Sequence, residues 1–185
     1  MMNDIKILPV GDRDREEVVA YVLETRKELF PMLNHEVMPK DLQTFSSTYV
    51  DTSIGTFLQA RTSQGNLIGT IGMMAYDHRF PYWSFTGNKI VEVARLFVEP
   101  AYRKLGLGTQ LVQELKKTGH RQGVELLYLH THPFLEGAYN FWLKQGFDLV
   151  MCCEESGFET FHMVIDKTKV IRRNTVNFFT ENNQL

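Results

Sequence analysis

The sequence predicts one α/β (α+β) domain. Its sheet is mixed and mostly antiparallel, with about seven strands, a central parallel pair and about four flanking helices. Three observations predict this. Residues 91–131 run strand, glycine turn, helix, strand, and a single helical crossover makes the two strands parallel. Thr56–Arg61 and Asn66–Tyr76 flank Thr62-Ser63-Gln64-Gly65, a hairpin loop with glycine where positive φ is needed. Phe147–Cys152 and Glu159–Ile165 form a closing antiparallel pair around Glu154-Glu155-Ser156-Gly157.

Taken in order, Ile5–Leu8 is a short apolar strand closed by Pro9 and Gly11. Asp14 can cap a helix whose first turn carries Glu16 and Glu17, with Val18, Val22 and Leu29 as its inward stripe. That helix ends before Pro31, and Met32–Pro39 is a loop. Lys40–Val50 is a second helix, weakened by Ser46, Ser47 and Thr48. After the hairpin, Asp77–Asn88 is a loop rich in aromatics (Phe80, Tyr82, Trp83, Phe85), expected to cover one end of the core.

The centre is Val91–Thr109. Alternation puts Val91, Val93, Arg95 and Phe97 on one face and Glu92, Ala94, Leu96 and Val98 on the other, and Pro100 ends the strand. A basic, glycine-spaced turn follows, Arg103-Lys104-Leu105-Gly106-Leu107-Gly108-Thr109. Leu107, Leu111, Val112 and Leu115 then recur at helical spacing, and Gly119 and Gly123 bracket the helix end. Such a turn offers free backbone N–H groups and a helix N-terminus to an anion, above all a phosphate. Glu125–Thr131 is a buried-type strand stopped by Pro133. Glu136–Gln145 is a helix with Ala138, Phe141 and Trp142 inside, ended by Gly146. Residues 1–167 form the domain; 168–185 are a polar extension in which Val170–Phe179 can pack and Thr180–Leu185 fray.

Composition narrows the function. The chain has 185 residues, 43% of them hydrophobic, and a net charge of −2. This excludes a disordered or fibrous class and gives no general attraction to nucleic acid or an acidic membrane. The basic turn is therefore local and suits a small anionic ligand. No apolar leader or membrane-length run is present, and Cys152 and Cys153 are adjacent, which fits a reduced, cytoplasmic setting better than a disulfide framework. Core packing is expected for both cysteines. His130 and His132 share a face without a third ligand at legible spacing, so no metal site is expected. Arg95, on an apolar face, is expected to pair with a carboxylate.

In order and in residues the chain resembles the GCN5-related N-acetyltransferase family over roughly Ile5–Asp166. Arg103-Lys104-Leu105-Gly106-Leu107-Gly108 matches the family's Gln/Arg-x-x-Gly-x-Gly/Ala turn. It follows Arg95-Leu96-Phe97-Val98-Glu99-Pro100, and Phe141-Trp142-Leu143-Lys144-Gln145-Gly146-Phe147 is similar to the second signature. The rival nucleotide motifs fit worse: no Gly-x-x-x-x-Gly-Lys-Ser/Thr run exists, and Leu111 stands where a dinucleotide fold needs a third glycine.

The resemblance implies a splayed central pair and acetyl transfer from acetyl-CoA to a primary amine of a small molecule or peptide. It implies diphosphate contacts from Arg103, Lys104, Leu105, Gly106, Leu107, Gly108 and Thr109. Pantetheine contacts would come from the backbones of Leu96, Phe97 and Val98. Gly106 and Gly108 would let the backbone approach the ligand. Glu92 stands where histone-acetylating members carry their general base; its other reading is a strand-end carboxylate paired with a cation or water. Deprotonating an amine of pKa near 10.4 at pH 7 costs about 4–5 kcal/mol, which a positioned base offsets in part. Trp142 stands where many members have a tyrosine, and an indole has no acidic proton for the departing thiolate. Tyr139, one turn earlier, is the substitute candidate, although a thiolate of pKa about 8.5 leaves tolerably without help. Leu135 replaces a frequent asparagine, and Thr131 is the alternative ligand contact. Members often dimerise through the final strands, so a homodimer is open. The rival function is an acyl-CoA-binding sensor or interaction module without turnover.

Overall fold

In the computed structural model, which describes residues 4–80 and 89–166, the elements in chain order are β1 (Lys6–Pro9), α1 (Arg15–Leu29), α2 (Lys40–Gln43), β2 (Thr56–Arg61), β3 (Leu67–Ala75), β4 (Ile90–Val98), α3 (Leu107–Arg121), β5 (Leu126–Thr131), α4 (Ala138–Lys144), β6 (Asp148–Glu155) and β7 (Phe158–Asp166). The seven strands make one sheet in the order β1-β2-β3-β4-β5-β7-β6. Only β4 and β5 are parallel; every other neighbouring pair is antiparallel. Both tight turns use the chemistry the sequence offers. Gly65 sits at φ +89° in the β2–β3 loop. Ser156 and Gly157 both take positive φ between β6 and β7, the two-residue turn whose twist matches the strands.

The helices divide the core into two layers. On one face α3 buries Leu107, Leu111, Val112 and Leu115 against Met73, Val91, Val93, Leu127 and Leu129, with Trp142 of α4 and Phe147 closing the cluster. On the other face Val18 and Val22 of α1 meet Leu42, Phe45, Tyr49 and Phe57. Arg61 ties α1 to β2 by a paired contact to Glu17, at 2.6 and 3.1 Å.

Local structure departs from expectation in four places. Asp14 makes no cap bond to α1, because its carboxylate accepts from Gln59 Nε2 at 2.8 Å instead. The expected second helix breaks into α2 and a π-helical turn at Ser46–Val50, where Thr44, Ser47 and Thr48 exchange side-chain bonds that compete with an α-helix. Gly119 lies inside α3, packed against Met73 and Val124, while Gly123 alone takes the positive φ after the helix.

The fourth departure is in β4. Gly72 lies opposite Ala94 but Thr70 lies opposite Phe97, so β4 carries one extra residue, a bulge, with Arg95 at φ +60°. The bulge shifts the alternation. Val91 and Val93, then Leu96 and Val98, pack toward α3. Arg95 and Phe97 turn to the α1–α2 face, where they meet Asp41 and the Tyr21 ring. The single face predicted for Val91, Val93, Arg95 and Phe97 is thus split in two. Thr70 Oγ1 donates to the carbonyl of Arg95 at 2.9 Å, which satisfies a group that the bulge takes out of the ladder.

The extension 168–185 and the aromatics Tyr82, Trp83 and Phe85 lie outside the described residues. Among the described residues no helix is long and apolar enough to cross a membrane.

Candidate active site

β4 and β5 share three register pairs, Ile90↔Leu126, Val91↔Leu127 and Glu92↔Tyr128. Past these, β5 stays paired with β7 through Thr131, while β4 continues beside β3 to Val98. The bulge at Arg95 bends β4 as the two strands part, leaving a wedge-shaped gap in the middle of the sheet. Glu99 N–H donates to Ile68 O, with Val98 opposite Gly69 and Phe97 opposite Thr70. Hydrogen-bonded pairs alternate along such a ladder, so Phe97 turns its amide to β3 while Leu96 and Val98 turn theirs to the gap. The side chains of Leu96, Val98, Tyr102, Tyr139 and Phe141 are only partly buried on its α3–α4 side.

The basic turn closes one end of this gap. Pro100–Tyr102 is a 3₁₀ turn, Lys104 sits at φ +61° and Gly106, the N-cap of α3, at φ +90°. Gln110 N–H is the first in α3 to bond back, to Gly106 O, so the N–H groups of Leu107, Gly108 and Thr109 have no partner within the helix. No side chain caps this end, and the first turn holds no acidic residue. An uncapped positive helix end after a basic loop favours an anion electrostatically.

The side chains there do other work. Leu107 is anchored in the core and Leu105 is exposed. Thr109 Oγ1 accepts from Gln145, the residue that follows α4, at 3.2 Å. Arg103 folds back, Nε donating to Val98 O at 2.8 Å and the guanidinium lying over the Phe97 ring. A Cβ on Gly108 would lie 3.4 Å from the Phe141 ring and 3.7 Å from Val98, ordinary contact distances, so packing leaves room for a methyl group there and for little more.

On the opposite face the central residue is Glu92, only 2% exposed. Arg79 grips both its oxygens at 2.5 and 2.6 Å, and His130 Nδ1 lies 3.1 Å from Oε1. Burial pushes the carboxyl pKa up. The hydrogen bonds and charges of His130 and Arg79 outweigh this and hold it at about 2. Glu92 is therefore an ionised, fully engaged carboxylate across the neutral range. A carboxylate accepting from Nδ1–H fixes the tautomer that leaves His130 Nε2 as the basic atom. His130 was passed over in the sequence because its partner Glu92 lies on another strand.

His130 lines a cavity of about 180 Å³. Arg26, Phe30, Met32 and Leu33 bound it from α1 and the loop after it. Arg95, His132, Phe134 and Phe158 complete the wall. Arg95 pairs as expected, Nε and Nη2 lying 3.0 and 2.7 Å from the two oxygens of Asp41.

The remaining candidates divide. Trp142 is buried in the core between Phe141 and Phe147. Tyr139 is half-buried and packs on Phe161, which lies opposite the buried Thr131. The cysteines are not core residues, because β6 is an edge strand. Cys152 is exposed, and the half-buried Cys153 has Sγ 3.2 Å from His162 Nε2. His162 is fully buried, bonded also to Tyr128 Oη at 2.7 Å, and burial depresses its pKa to about 4.

A sheet opened between two parallel strands, with an uncapped helix N-terminus beside the opening, is the architecture on which the comparisons bear. The acetyltransferase (GNAT) family model matches residues 19–147, and the chain belongs to that family. An uncharacterised N-acetyltransferase of Lactobacillus delbrueckii subsp. lactis is 23% identical over 153 residues, covering 78% of this chain and 85% of its own length. The GNAT acetyltransferase of Staphylococcus aureus Mu50 superposes with a TM-score of 0.67 at 22% identity, over 85% of this chain and 97% of its own. PaiA N-acetyltransferase of Thermoplasma acidophilum, solved with coenzyme A, gives 0.62 at 19% identity, over 88% and 98%. YncA of Salmonella typhimurium, solved with acetyl-CoA, gives 0.67 at 15%, over 89% and 95%. At these identities the superpositions establish the shared fold.

Proposed function

We propose that this protein transfers the acetyl group of acetyl-CoA to a primary amine by direct attack within a ternary complex. The observation that carries the reading is the opening of β4 from β5 beside the uncapped N-terminus of α3. The diphosphate would lie on the N–H groups of Leu107, Gly108 and Thr109, with Lys104 as a nearby cation. The pantetheine amides would bond the gap-facing backbone of Leu96 and the N–H of Val98, whose carbonyl already accepts from Arg103 Nε, and Thr131 at the end of β5 would lie across the gap. Phosphate bound by several charge-assisted hydrogen bonds suits this loop.

The amine would arrive from the cavity on the other face. His130 Nε2 takes the proton as nitrogen attacks the carbonyl carbon. The C–N bond forms, the C–S bond breaks, and the thiolate leaves, protonated by Tyr139 or by water. Glu92 is then a positioning residue, holding the imidazole tautomer and stabilising the cation that forms. This assigns the base role to His130 rather than to Glu92 itself, in keeping with the bidentate grip of Arg79.

The test offers acetyl-CoA with a panel of amines and follows free thiol. His130→Gln is expected to lower kcat/KM by roughly 10²–10⁴, and Glu92→Gln to shift the acid limb of its pH profile. Unaltered profiles in both would remove the dyad. One alternative is an acyl-CoA-binding module without turnover, because Trp142, at the position of the family's tyrosine, has no acidic proton for the thiolate and is buried in the core. Calorimetric binding of acetyl-CoA with no thiol release from any amine would select it.

A further inference from the structure

The cavity beside His130 carries uncompensated positive charge. Arg26 and Arg95 both line it. The two carboxylates nearby are already spoken for: Asp41 holds Arg95 through both oxygens, and Glu92 holds Arg79 through both of its own. Asp41 also accepts from Tyr49 Oη at 2.8 Å. Arg26 has only neutral partners, both on Nη1: the carbonyl of Asn34 at 3.2 Å and His35 Nδ1 at 2.8 Å. Among the described residues no carboxylate comes within ion-pair distance of it. Its Nε and Nη2 hydrogens, the edge that binds a carboxylate in parallel fashion, are left over. Burial and then the neighbouring Arg95 press its pKa down, and the more distant charge of Asp41 offsets them only in part. The opposite wall is aromatic. His132 stacks on Phe134 with centroids 4.9 Å apart, and Phe30 and Phe158 meet Phe134 edge-on at 5.7 and 6.0 Å.

We infer that the acceptor is a small amine that also bears a carboxylate and an apolar body, an amino-acid-sized molecule, with its carboxylate on Arg26 and its side chain against Phe134. This rests on the proposed transfer of acetyl to an amine in this cavity. A polyamine fits badly, because its remaining ammonium groups would face the Arg26 guanidinium, which no carboxylate pairs. An amine whose only charge is its ammonium leaves Arg26 desolvated and unpaired.

The test compares L-phenylalanine, L-phenylalaninamide, phenethylamine and spermidine, by turnover with acetyl-CoA and by calorimetry on the CoA-loaded protein. A charged hydrogen-bonded contact predicts a preference of roughly 10- to 100-fold for the carboxylate over its amide in kcat/KM and in affinity. Arg26→Met should collapse that ratio toward one and Arg26→Lys restore part of it. Lys27→Met, on the solvent side of the same helix, should leave the ratio intact. If the amide, phenethylamine or spermidine is preferred, or if the ratio survives Arg26→Met, the inference is wrong while acetyl transfer stands. Arg26-dependent binding of L-phenylalanine with no turnover of any amine would keep the anion site and overturn the transfer reading.

Discussion

Replacing Glu92 by Gln should cost about 3 kcal/mol of stability at pH 7, and that loss should fade in acid. An ordinary glutamate has a pKa of 4.5, and Glu92 sits at about 2. At about 1.4 kcal/mol per tenfold change in proton affinity, the folded state favours the ionised carboxylate by roughly 3 kcal/mol. The side chain is 2% exposed, so solvent screening takes little from this figure. The unfolded chain binds the proton more readily than the native one. The contribution is therefore whole above pH 4.5 and disappears as pH falls through 2. Gln keeps the shape and removes the charge, and Arg79 retains Asp77 at 2.9 Å on its solvent side. Urea unfolding of both proteins at pH 7, 5 and 3 reads the difference. The expected gap of about 3 kcal/mol at pH 7 corresponds to roughly 6–12 °C in Tm, and it should shrink by more than half by pH 3. A gap below about 0.5 kcal/mol at pH 7, or one that stays constant to pH 3, would refute the account of Glu92 as a buried, ion-locked carboxylate.

Three other outcomes follow from single features. His162, buried and held neutral down to about pH 4, loses stability as pH drops from 6.5 to 4, because the unfolded imidazole takes the proton first. His162→Gln should flatten that slope, worth roughly 3 kcal/mol across the window, in unfolding curves at pH 7 and 4.5. Lys104→Gly should raise stability by about 1 kcal/mol by relieving the left-handed backbone, and weaken coenzyme A binding in calorimetry through the lost cation. Gly108→Val should destabilise by roughly 1–3 kcal/mol, seen as a lower urea midpoint, because its branched side chain would push Phe141 and Val98 away.

The sequence alone determined what short-range physics decides. Turn glycines such as Gly65 and Gly157, the period-two and helical patterns, and the order β4–glycine turn–α3–β5 are set by neighbours in the chain, and they were enough to indicate the parallel pair and the glycine turn that opens α3, while the parting of the two strands was implied only by the family resemblance. Residues that meet across the fold were not legible. Arg95 needed a carboxylate, yet nothing local said that it would be Asp41, 54 residues away. The bulge that turns Arg95 to that side depends on the register against β3, and register is a property of the pair of strands. Glu92 was legible in β4 as either a base or a paired carboxylate, but its partners were not, because Arg79 and His130 come from a loop and from β5. Only packing brought them together, because the charge of a buried group is set by what surrounds it in space.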